Sequence, residues 1–334
     1  MLFRSVLLGG TRDYKLIDEI KKNLEFYGFE VTDISLDIHY KYKNITEKLV
    51  NTYHKTFLNS LQYKAEKRLK AQIPDLENIL ENKTFDFALF IRPDYYPIHF
   101  IASLRNQCKK MMAYQWDGIH RFPEVKKYIN YFDKFYVFDP KDLDQNTFPA
   151  TNFYFDYHLS IPKINSKEVY FLGRYSENRM KFVPEMLEKI EQSGFQSKFL
   201  IFNPKNKTKY FHPKIKQIES ISFDENLKNI QEAEVLVDFF NFEHNGLSFR
   251  TFEAIGYRKK LITNNPNVKF YDFYHENNFF IWNNNLEELE TFLNKPFVDF
   301  SPEIIQKYSF NNWIHYIFDL QPNISIKLPT QYLL

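Results

Sequence analysis

The sequence contains one cysteine and only eight glycines in 334 residues. A single thiol, Cys108, cannot form an intramolecular disulfide, and no Cys/His cluster surrounds it, so a structural zinc site is not expected. The lone cysteine also favours a reducing compartment. No uninterrupted apolar stretch of about 18 residues occurs, so no segment is predicted to span a bilayer.

Several common catalytic motifs are also missing. The sequence has no H-E-x-x-H, no G-x-x-x-x-G-K-[ST] and no G-x-S-x-G, which excludes the usual zinc peptidase, P-loop and α/β-hydrolase interpretations. The early turn Gly9-Gly10-Thr11 lacks the G-x-G-x-x-G spacing of a dinucleotide fingerprint. The 44 basic and 42 acidic residues nearly cancel, so no nucleic-acid partner is expected.

Short apolar runs alternate with helical patterns along the chain, which predicts an α/β protein with parallel sheets. The length favours two domains, and the pattern weakens around residues 147–166 before it restarts. We therefore predict two Rossmann-like, doubly wound domains, residues 1–165 and 166–334, that face a central cleft. A helix predicted over residues 302–320 is a candidate to cross back to the first domain.

The richest motif is His244-Asn245-Gly246-Leu247-Ser248-Phe249-Arg250-Thr251-Phe252-Glu253. Gly246 lies between a predicted strand and a predicted helix, so the following backbone amides, including those of Leu247 and Ser248, could face a diphosphate. Arg250 and Glu253 lie one helical turn apart, which would allow the guanidinium to neutralise phosphate while the carboxylate binds ribose hydroxyls. An ordinary helix-surface ion pair is the alternative.

A second glycine turn, Gly173-Arg174, follows the first strand predicted for the second domain, and Arg179 follows in the next helix. Gly173 would permit close approach of the backbone, and either arginine could reach the same phosphates. The alternative is a plain strand–helix turn with solvated arginines.

Candidates for acceptor binding and proton transfer lie in the first half. Asp117 and His120 follow the strand predicted over 110–116, so a carboxylate and an imidazole project from one loop. A turn or helix-capping role is the alternative for both. Asp142-Leu143-Asp144 has the D-x-D form of some metal sites, but we interpret it as a solvated loop and predict no metal site. Residues 41–70 carry eight basic and two acidic side chains, which suits either a solvated face or contact with anionic lipid.

Two further patterns carry a family resemblance. Gln115-Trp116-Asp117 and Phe138-Asp139-Pro140-Lys141-Asp142, together with Phe171 to Arg179 and Asn245 to Asn265, are similar to a bacterial family of GT-B glycosyltransferases of lipopolysaccharide, capsule and exopolysaccharide assembly. The family includes CgeB-like proteins and proteins whose C-terminal region is similar to that of group 1 glycosyl transferases. The resemblance covers most of residues 85–320.

The resemblance implies a metal-independent transferase in which the second domain holds a nucleotide diphosphate sugar, with no cofactor besides this donor substrate. The expected partners are that donor and a glycan or lipid-linked glycan acceptor, in the cytoplasm or peripherally on the cytoplasmic face of the inner membrane. Asp117 is then the best candidate for acceptor binding or general base, with His120 beside it. The residues assigned to the donor are Gly173, Arg174, Arg179, Asn245, Gly246, Leu247, Ser248, Arg250 and Glu253.

One departure leaves the stereochemical outcome open. Many GT-B transferases carry two glutamates separated by seven residues, but Asn245 stands eight positions before Glu253. A retaining mechanism is therefore not supported. Two alternatives to a transferase also stay open, namely a sugar-nucleotide epimerase of the same architecture and a non-catalytic scaffold in a glycan-assembly complex.

Overall fold

The computed structural model describes residues 4–12, 16–37, 41–58, 62–157, 166–203, 212–240, 244–283 and 285–333. The chain forms two compact units. The first comprises Met1–Thr151, Glu243–Gly246 and Trp313–Leu328, and the second comprises Asn152–Phe242, Leu247–Asn312 and Pro329–Leu334. Neither unit is therefore one continuous stretch of sequence.

The first unit is built on a six-stranded sheet. Its strands are β1 (Arg4–Gly9), β2 (Phe29–Asp33), β3 (Phe85–Ile91), β4 (Cys108–Gln115), β5 (Lys134–Val137) and β6 (Phe148–Pro149). Every pairing is parallel, in the order β2-β1-β3-β4-β5-β6. The strands β3 and β4 are buried along most of their length, as expected for parallel strands covered on both faces.

The helices of this unit follow the strands. They are α1 (Leu16–Phe26), α2 (Ile45–Phe57), α3 (Gln62–Leu80) and α4 (Ile98–Ser103), with 3-10 segments at Pro93–Tyr95, Leu104–Asn106, Pro123–Tyr131 and Pro140–Asp142. Gly28, at φ +80°, lies between α1 and β2, and only glycine adopts this left-handed conformation without steric cost.

Alternate residues of β3 face two different apolar layers, because successive side chains of a strand point to opposite faces. Ala88 and Phe90 pack into a core with residues of the helices on one face. On the other face the ring of Phe318 stacks on Phe87 at 4.3 Å, and Trp313 contacts Tyr114 edge to face at 5.1 Å. The segment Trp313–Leu328 thus supplies core residues to the first unit.

The second unit also has a six-stranded parallel sheet. Its strands are β7 (Glu168–Arg174), β8 (Gln196–Phe202), β9 (Ile215–Ile218), β10 (Val235–Asp238), β11 (Lys260–Thr263) and β12 (Phe279–Ile281). Their order is β12-β11-β10-β7-β8-β9. Numbered within the unit, this order is 3-2-1-4-5-6, that of the Rossmann fold.

Helices flank this second sheet. They are α5 (Glu177–Met180), α6 (Val183–Gln192), α7 (Phe223–Glu232), α8 (Phe249–Gly256), α9 (Leu289–Asn294) and α10 (Pro302–Lys307), with a 3-10 segment at Pro266–Phe270. The last helix, α11 (Phe310–Ile317), begins in the second unit, but its residues from Trp313 onward belong to the first. Ser222 begins α7 by accepting a hydrogen bond from the backbone N–H of Glu225 at 3.1 Å. Two apolar clusters, one containing Leu236 and the other Val235 and Val237, form the core of the unit.

The structure confirms the prediction of two Rossmann-like, doubly wound parallel sheets, but it divides the chain earlier than residue 165. The stretch Asn152–Phe242 belongs to the second unit, and Tyr154 within it pairs with the backbone of Tyr308 and Phe310 of the same unit. The same pairing interrupts the single terminal helix predicted over 302–320. Two shorter helices, α10 and α11, stand in its place.

An apolar residue recurs every four positions between residues 49 and 73, which predicts one long helical segment: Leu49, Tyr53, Phe57, Leu61, Ala65, Leu69 and Ile73. The structure has α2 and α3 instead, and the two helices present different sides to the protein. The apolar repeat is exposed on α2, at Leu49, Tyr53 and Phe57, whereas Ala65 and Leu69 of α3 are buried.

Candidate functional site

The carboxyl ends of β7 and β10 are where a ligand site is expected in the second unit. These neighbouring strands form the topological switch point of the sheet, since the chain continues to one side from β7 and to the other from β10. Open α/β sheets bind ligands beyond the strand ends at such a point. The helix α8, which carries Arg250 and Glu253, follows β10 and packs on it.

Arg250 and Glu253 are paired with each other. The guanidinium Nη1 lies 2.9 Å from Oε2 of the carboxylate, and the two side chains are only 12% and 13% exposed. Burial raises the pKa of the Glu253 carboxyl, and the nearby Arg250 offsets part of that rise. The spacing predicted that these groups share a face, and in the structure each is the other's ionic partner.

Two further side chains fix the Arg250 guanidinium. It lies 5.6 Å from the ring centre of Tyr170, a cation–π arrangement, and its Nη2 is 3.5 Å from Oδ1 of Asn226. The Tyr170 hydroxyl donates to the same oxygen at 3.0 Å. Burial raises the pKa of Tyr170 to about 12, so its hydroxyl keeps its proton at neutral pH. The sequence analysis missed Tyr170 and Asn226, because neither belongs to a recognisable motif.

The amino end of α8 lies against the carboxyl end of β10. Ser248 stands before the first residue of α8, and its hydroxyl donates to Oδ2 of Asp238 at 2.8 Å instead of capping the helix. The side chain of Leu247 is buried in the apolar core, and its carbonyl accepts a hydrogen bond from Asn152. Any contact of Leu247 with a donor would therefore come from its backbone N–H.

The other glycine turn lies at the end of β7. A Cβ on Gly173 would meet the ring of Phe171 at 2.4 Å, so the glycine accommodates packing within its own strand. Arg174 is exposed, and its guanidinium lies 5.9 Å from the ring centre of Phe202. Arg179 belongs to α5, but its side chain lies outside the described residues.

Asn245 and Gly246 belong to the first unit, not to the domain to which the sequence analysis assigned them. The backbone N–H of Asn245 donates to Oδ2 of the fully buried Asp139 at 2.8 Å. A Cβ on Gly246 would lie 2.7 Å from the carbonyl oxygen of Phe138. The absence of a side chain at Gly246 is therefore required by close packing inside the first unit.

Asp117 belongs to an ionic network of the first unit that is centred on Arg92. Arg92, at φ 58°, donates from Nε and Nη2 to the two oxygens of Asp94, at 2.8 and 2.7 Å. Its Nη1 donates to Oδ2 of Asp117, whose other oxygen lies 3.6 Å from Arg121. Both Asp117 oxygens thus face arginines, and to accept a proton from a substrate one oxygen would have to exchange its arginine for that substrate.

His120 is exposed on the same loop as Asp117. Below this loop, Oδ2 of Asp142 accepts a hydrogen bond from the backbone N–H of Ile119 at 2.7 Å. Burial raises the pKa of Asp142 to about 6. The D-x-D segment is interpreted from the sequence as a solvated loop; Asp144 is exposed, whereas Asp142 is half-buried and bonded to the 117–120 loop.

Neither a metal-binding cluster nor a membrane-spanning helix occurs among the described residues. The side chains described include no group of three or more His, Cys, Asp or Glu residues that could hold a metal ion. Among the helices of the described part of the chain, none is long and apolar enough to cross a membrane.

No protein-family model and no curated protein matches the chain. Among solved structures, the chain is similar to a putative UDP-N-acetylglucosamine 2-epimerase from Listeria monocytogenes, with 12% identity, 98% of this chain and 100% of that chain covered, and a TM-score of 0.49. A UDP-GlcNAc 2-epimerase from Methanocaldococcus jannaschii, in complex with UDP-GlcNAc and UDP, shares 15% identity over 89% of this chain and 96% of that one, at a TM-score of 0.47.

An α-glucosyltransferase in complex with UDP and a 13-mer DNA shares 11% identity over 78% of this chain and 80% of that chain, at a TM-score of 0.44. The strand orders show two Rossmann-like parallel sheets in one chain, which is the fold class predicted from the sequence.

Proposed function

We propose that the chain is a glycosyltransferase that moves a sugar from a nucleotide diphosphate sugar to a hydroxyl of a bacterial surface glycan. One observation carries the proposal. The Arg250–Glu253 pair lies on the helix that follows the switch-point strand β10, and Tyr170 of the neighbouring switch-point strand holds the guanidinium. An arginine and a carboxylate in this place match the diphosphate and the ribose of such a donor.

In this proposal, Arg250 and the backbone amides at the amino end of α8 bind the diphosphate. A guanidinium has five N–H donors, so an arginine that contacts Glu253 still has donors for phosphate oxygens. Glu253 accepts hydrogen bonds from the ribose hydroxyls, and Gly173 and Arg174 approach the phosphates from the end of β7. The positive groups stabilise the negative charge that develops on the leaving nucleoside diphosphate.

We assign the acceptor to the first unit. Asp117, with His120 on the same loop, would take the proton of the acceptor hydroxyl while the hydroxyl oxygen attacks the anomeric carbon. The bond from that carbon to the diphosphate oxygen then breaks. A bacterial surface glycan as acceptor, a transferred hexosyl or related group and independence of metal are parts of the proposal that rest on the family resemblance. The cytoplasm is the proposed compartment, in keeping with the free, buried Cys108.

The first test is ligand binding. A ligand that binds the native state raises its melting temperature, so the protein is screened by thermal shift against UDP, GDP, ADP and CMP sugars. We expect one nucleoside diphosphate class to stabilise the protein. No response to any nucleotide would contradict the proposal and favour a non-catalytic scaffold.

The second test assigns the site. Arg250→Gln should abolish the nucleotide-induced shift, while Arg250→Lys should retain part of it through its charge. The matched control is Arg258→Gln, because Arg258 follows α8 and contacts only the exposed Asp299 at 3.6 Å among the ion pairs of the described residues. Equal shifts in Arg250→Gln and Arg258→Gln would remove Arg250 from the site.

The third test separates transfer from isomerisation. The protein is incubated with the stabilising sugar nucleotide with and without a glycan acceptor extract, and the products are resolved by mass spectrometry and chromatography. A transferase releases nucleoside diphosphate in proportion to the glycan that is modified. Conversion of the donor to a stereoisomer without any acceptor would instead identify a sugar-nucleotide epimerase.

A further inference from the structure

The helix α2 exposes a continuous apolar stripe. Ile45, Leu49, Tyr53 and Phe57 recur every four residues and are 77%, 63%, 54% and 75% exposed. Leu58, directly after the helix, is also exposed. These five residues are almost half of the exposed large hydrophobic residues in the described ranges, so the exposure is concentrated on one short segment.

The polar side of α2, in contrast, holds the helix on the protein. Glu47 is buried and lies 3.2 Å from Nζ of Lys67 in α3, and the His54 ring stacks on Tyr63 of α3 at 5.0 Å. Asn44 caps the helix by accepting a hydrogen bond from the backbone N–H of Glu47 at 2.8 Å. The helix is therefore anchored through polar groups and turns its apolar stripe to solvent, the reverse of an ordinary surface helix.

Positive charge lies beside this stripe. At 100° per residue, Lys48 and Lys55 fall on one flank of the stripe, and Lys41 and Lys43 precede the helix. Residues 41–70 hold eight basic and two acidic side chains, although the whole chain is nearly balanced at 44 and 42. The pKa of Lys64 is lowered by burial and by the neighbouring charges of Arg68 and Lys55, in agreement with crowding of positive charge here.

We propose that α2 docks on an anionic phospholipid bilayer, with Ile45, Leu49, Tyr53 and Phe57 inserted at the headgroup level and Lys48 and Lys55 against the lipid phosphates. An apolar stripe flanked by lysines is the pattern of a helix that lies in the membrane interface. A second copy of the chain fits this surface less well, because a symmetric contact brings the same lysine-rich surface against itself. The proposal does not depend on the proposed function.

The test is flotation of the full chain with vesicles of phosphatidylcholine alone or mixed with phosphatidylglycerol. The wild-type protein should float with the anionic vesicles, remain behind with the neutral ones, and dissociate as salt is raised. Lys48→Gln/Lys55→Gln should weaken binding by about 30-fold, since each lysine near an anionic surface contributes about 1 kcal/mol. Leu49→Glu/Phe57→Glu should weaken it by at least about tenfold.

Two control variants match these changes. Phe26→Glu replaces an equally exposed aromatic residue on α1, and Lys228→Gln removes an exposed lysine from α7, so both should float like the wild type. All the changed side chains are exposed, and the melting temperatures of the variants should stay close to that of the wild type.

Three results would overturn the proposal. They are no flotation with anionic vesicles, flotation that Leu49→Glu/Phe57→Glu retains, and a wild-type dimer that the same double variant converts to monomer in light scattering. The last result would assign the stripe to a second copy of the chain.

Discussion

Each unit contains an arginine–carboxylate cluster near the end of a central strand, but the two clusters differ in reach. In the first unit, Arg92 joins Asp94 to Asp117, which lies 25 residues further along the chain. In the second unit, Arg250 pairs with Glu253 within one turn of α8. A cluster that connects two loops stabilises the fold. A pair within one helical turn contributes less to the stability of the fold, so its side chains are better suited to binding a ligand.

The largest expected loss of stability follows from disruption of the first cluster. Arg92→Ala leaves Asp94 and Asp117 without their shared cation, and removal of one partner of a buried ion pair costs about 3–5 kcal/mol. Urea unfolding should show a loss of this size. Arg105→Ala is the control, because its pair with Asp133 is exposed and should be worth less than about 1 kcal/mol. Similar losses in the two variants would remove the structural role assigned to Arg92.

Disruption of the second cluster should lower the free energy of unfolding by a smaller amount, and this loss should depend on pH. Arg250→Ala leaves the carboxyl of Glu253 unpaired, at a cost of about 2 kcal/mol near neutral pH. The pKa of Glu253 is already raised, so protonation relieves the cost as the pH falls towards the ordinary carboxyl value. Unfolding free energies of variant and wild type should therefore converge on acidification. A difference that grows on acidification would contradict this interpretation.

Alanine substitutions at Gly246 and Gly173 should destabilise the protein to different degrees. Gly246→Ala places a Cβ against the backbone oxygen of Phe138, which cannot rotate away, and should cost about 1–2 kcal/mol. Gly173→Ala meets only the ring of Phe171 and should cost less. Differential scanning calorimetry of both variants checks the order. A greater loss for Gly173→Ala would show that the packing around Phe138 is the more adaptable.

The smallest effect concerns Asp142. Its pKa in the folded protein is about 6 against an ordinary 3.8, so the folded state binds more protons in this interval and stability falls as the pH rises through it. Asp142→Asn keeps an oxygen for the Ile119 N–H and carries no charge. The variant should gain about 1 kcal/mol over the wild type above the interval and nothing below it, after allowance for partial solvent exposure. A constant difference across the interval would contradict the assignment.

The central strands could be predicted because they contain continuous apolar runs, as in residues 87–91. The edge strands β6 and β9 could not be predicted, since β6 has only two residues and β9, Ile-Lys-Gln-Ile, has two polar residues between its apolar ends. The break between α10 and α11 depends on pairing with Tyr154, about 150 residues earlier, and leaves no local signal.

The same limit applies to the site. The spacing of Arg250 and Glu253 on one helix face was readable because it is local. The contribution of Tyr170 and Asn226 could not be predicted from the sequence, because it depends on the order of the strands. The assignment of Asn245 and Gly246 to the second domain was wrong for this reason, because their partners Asp139 and Phe138 lie about a hundred residues earlier.

Trp313 and Phe318 complete one face of a sheet whose strands all lie before residue 150. These two rings are synthesised about 160 residues after β6, so that face stays uncovered until the later segment has left the ribosome. The strands of the first unit therefore cannot bury Phe87 and Tyr114 by themselves, and its core is completed only after most of the second unit has been synthesised.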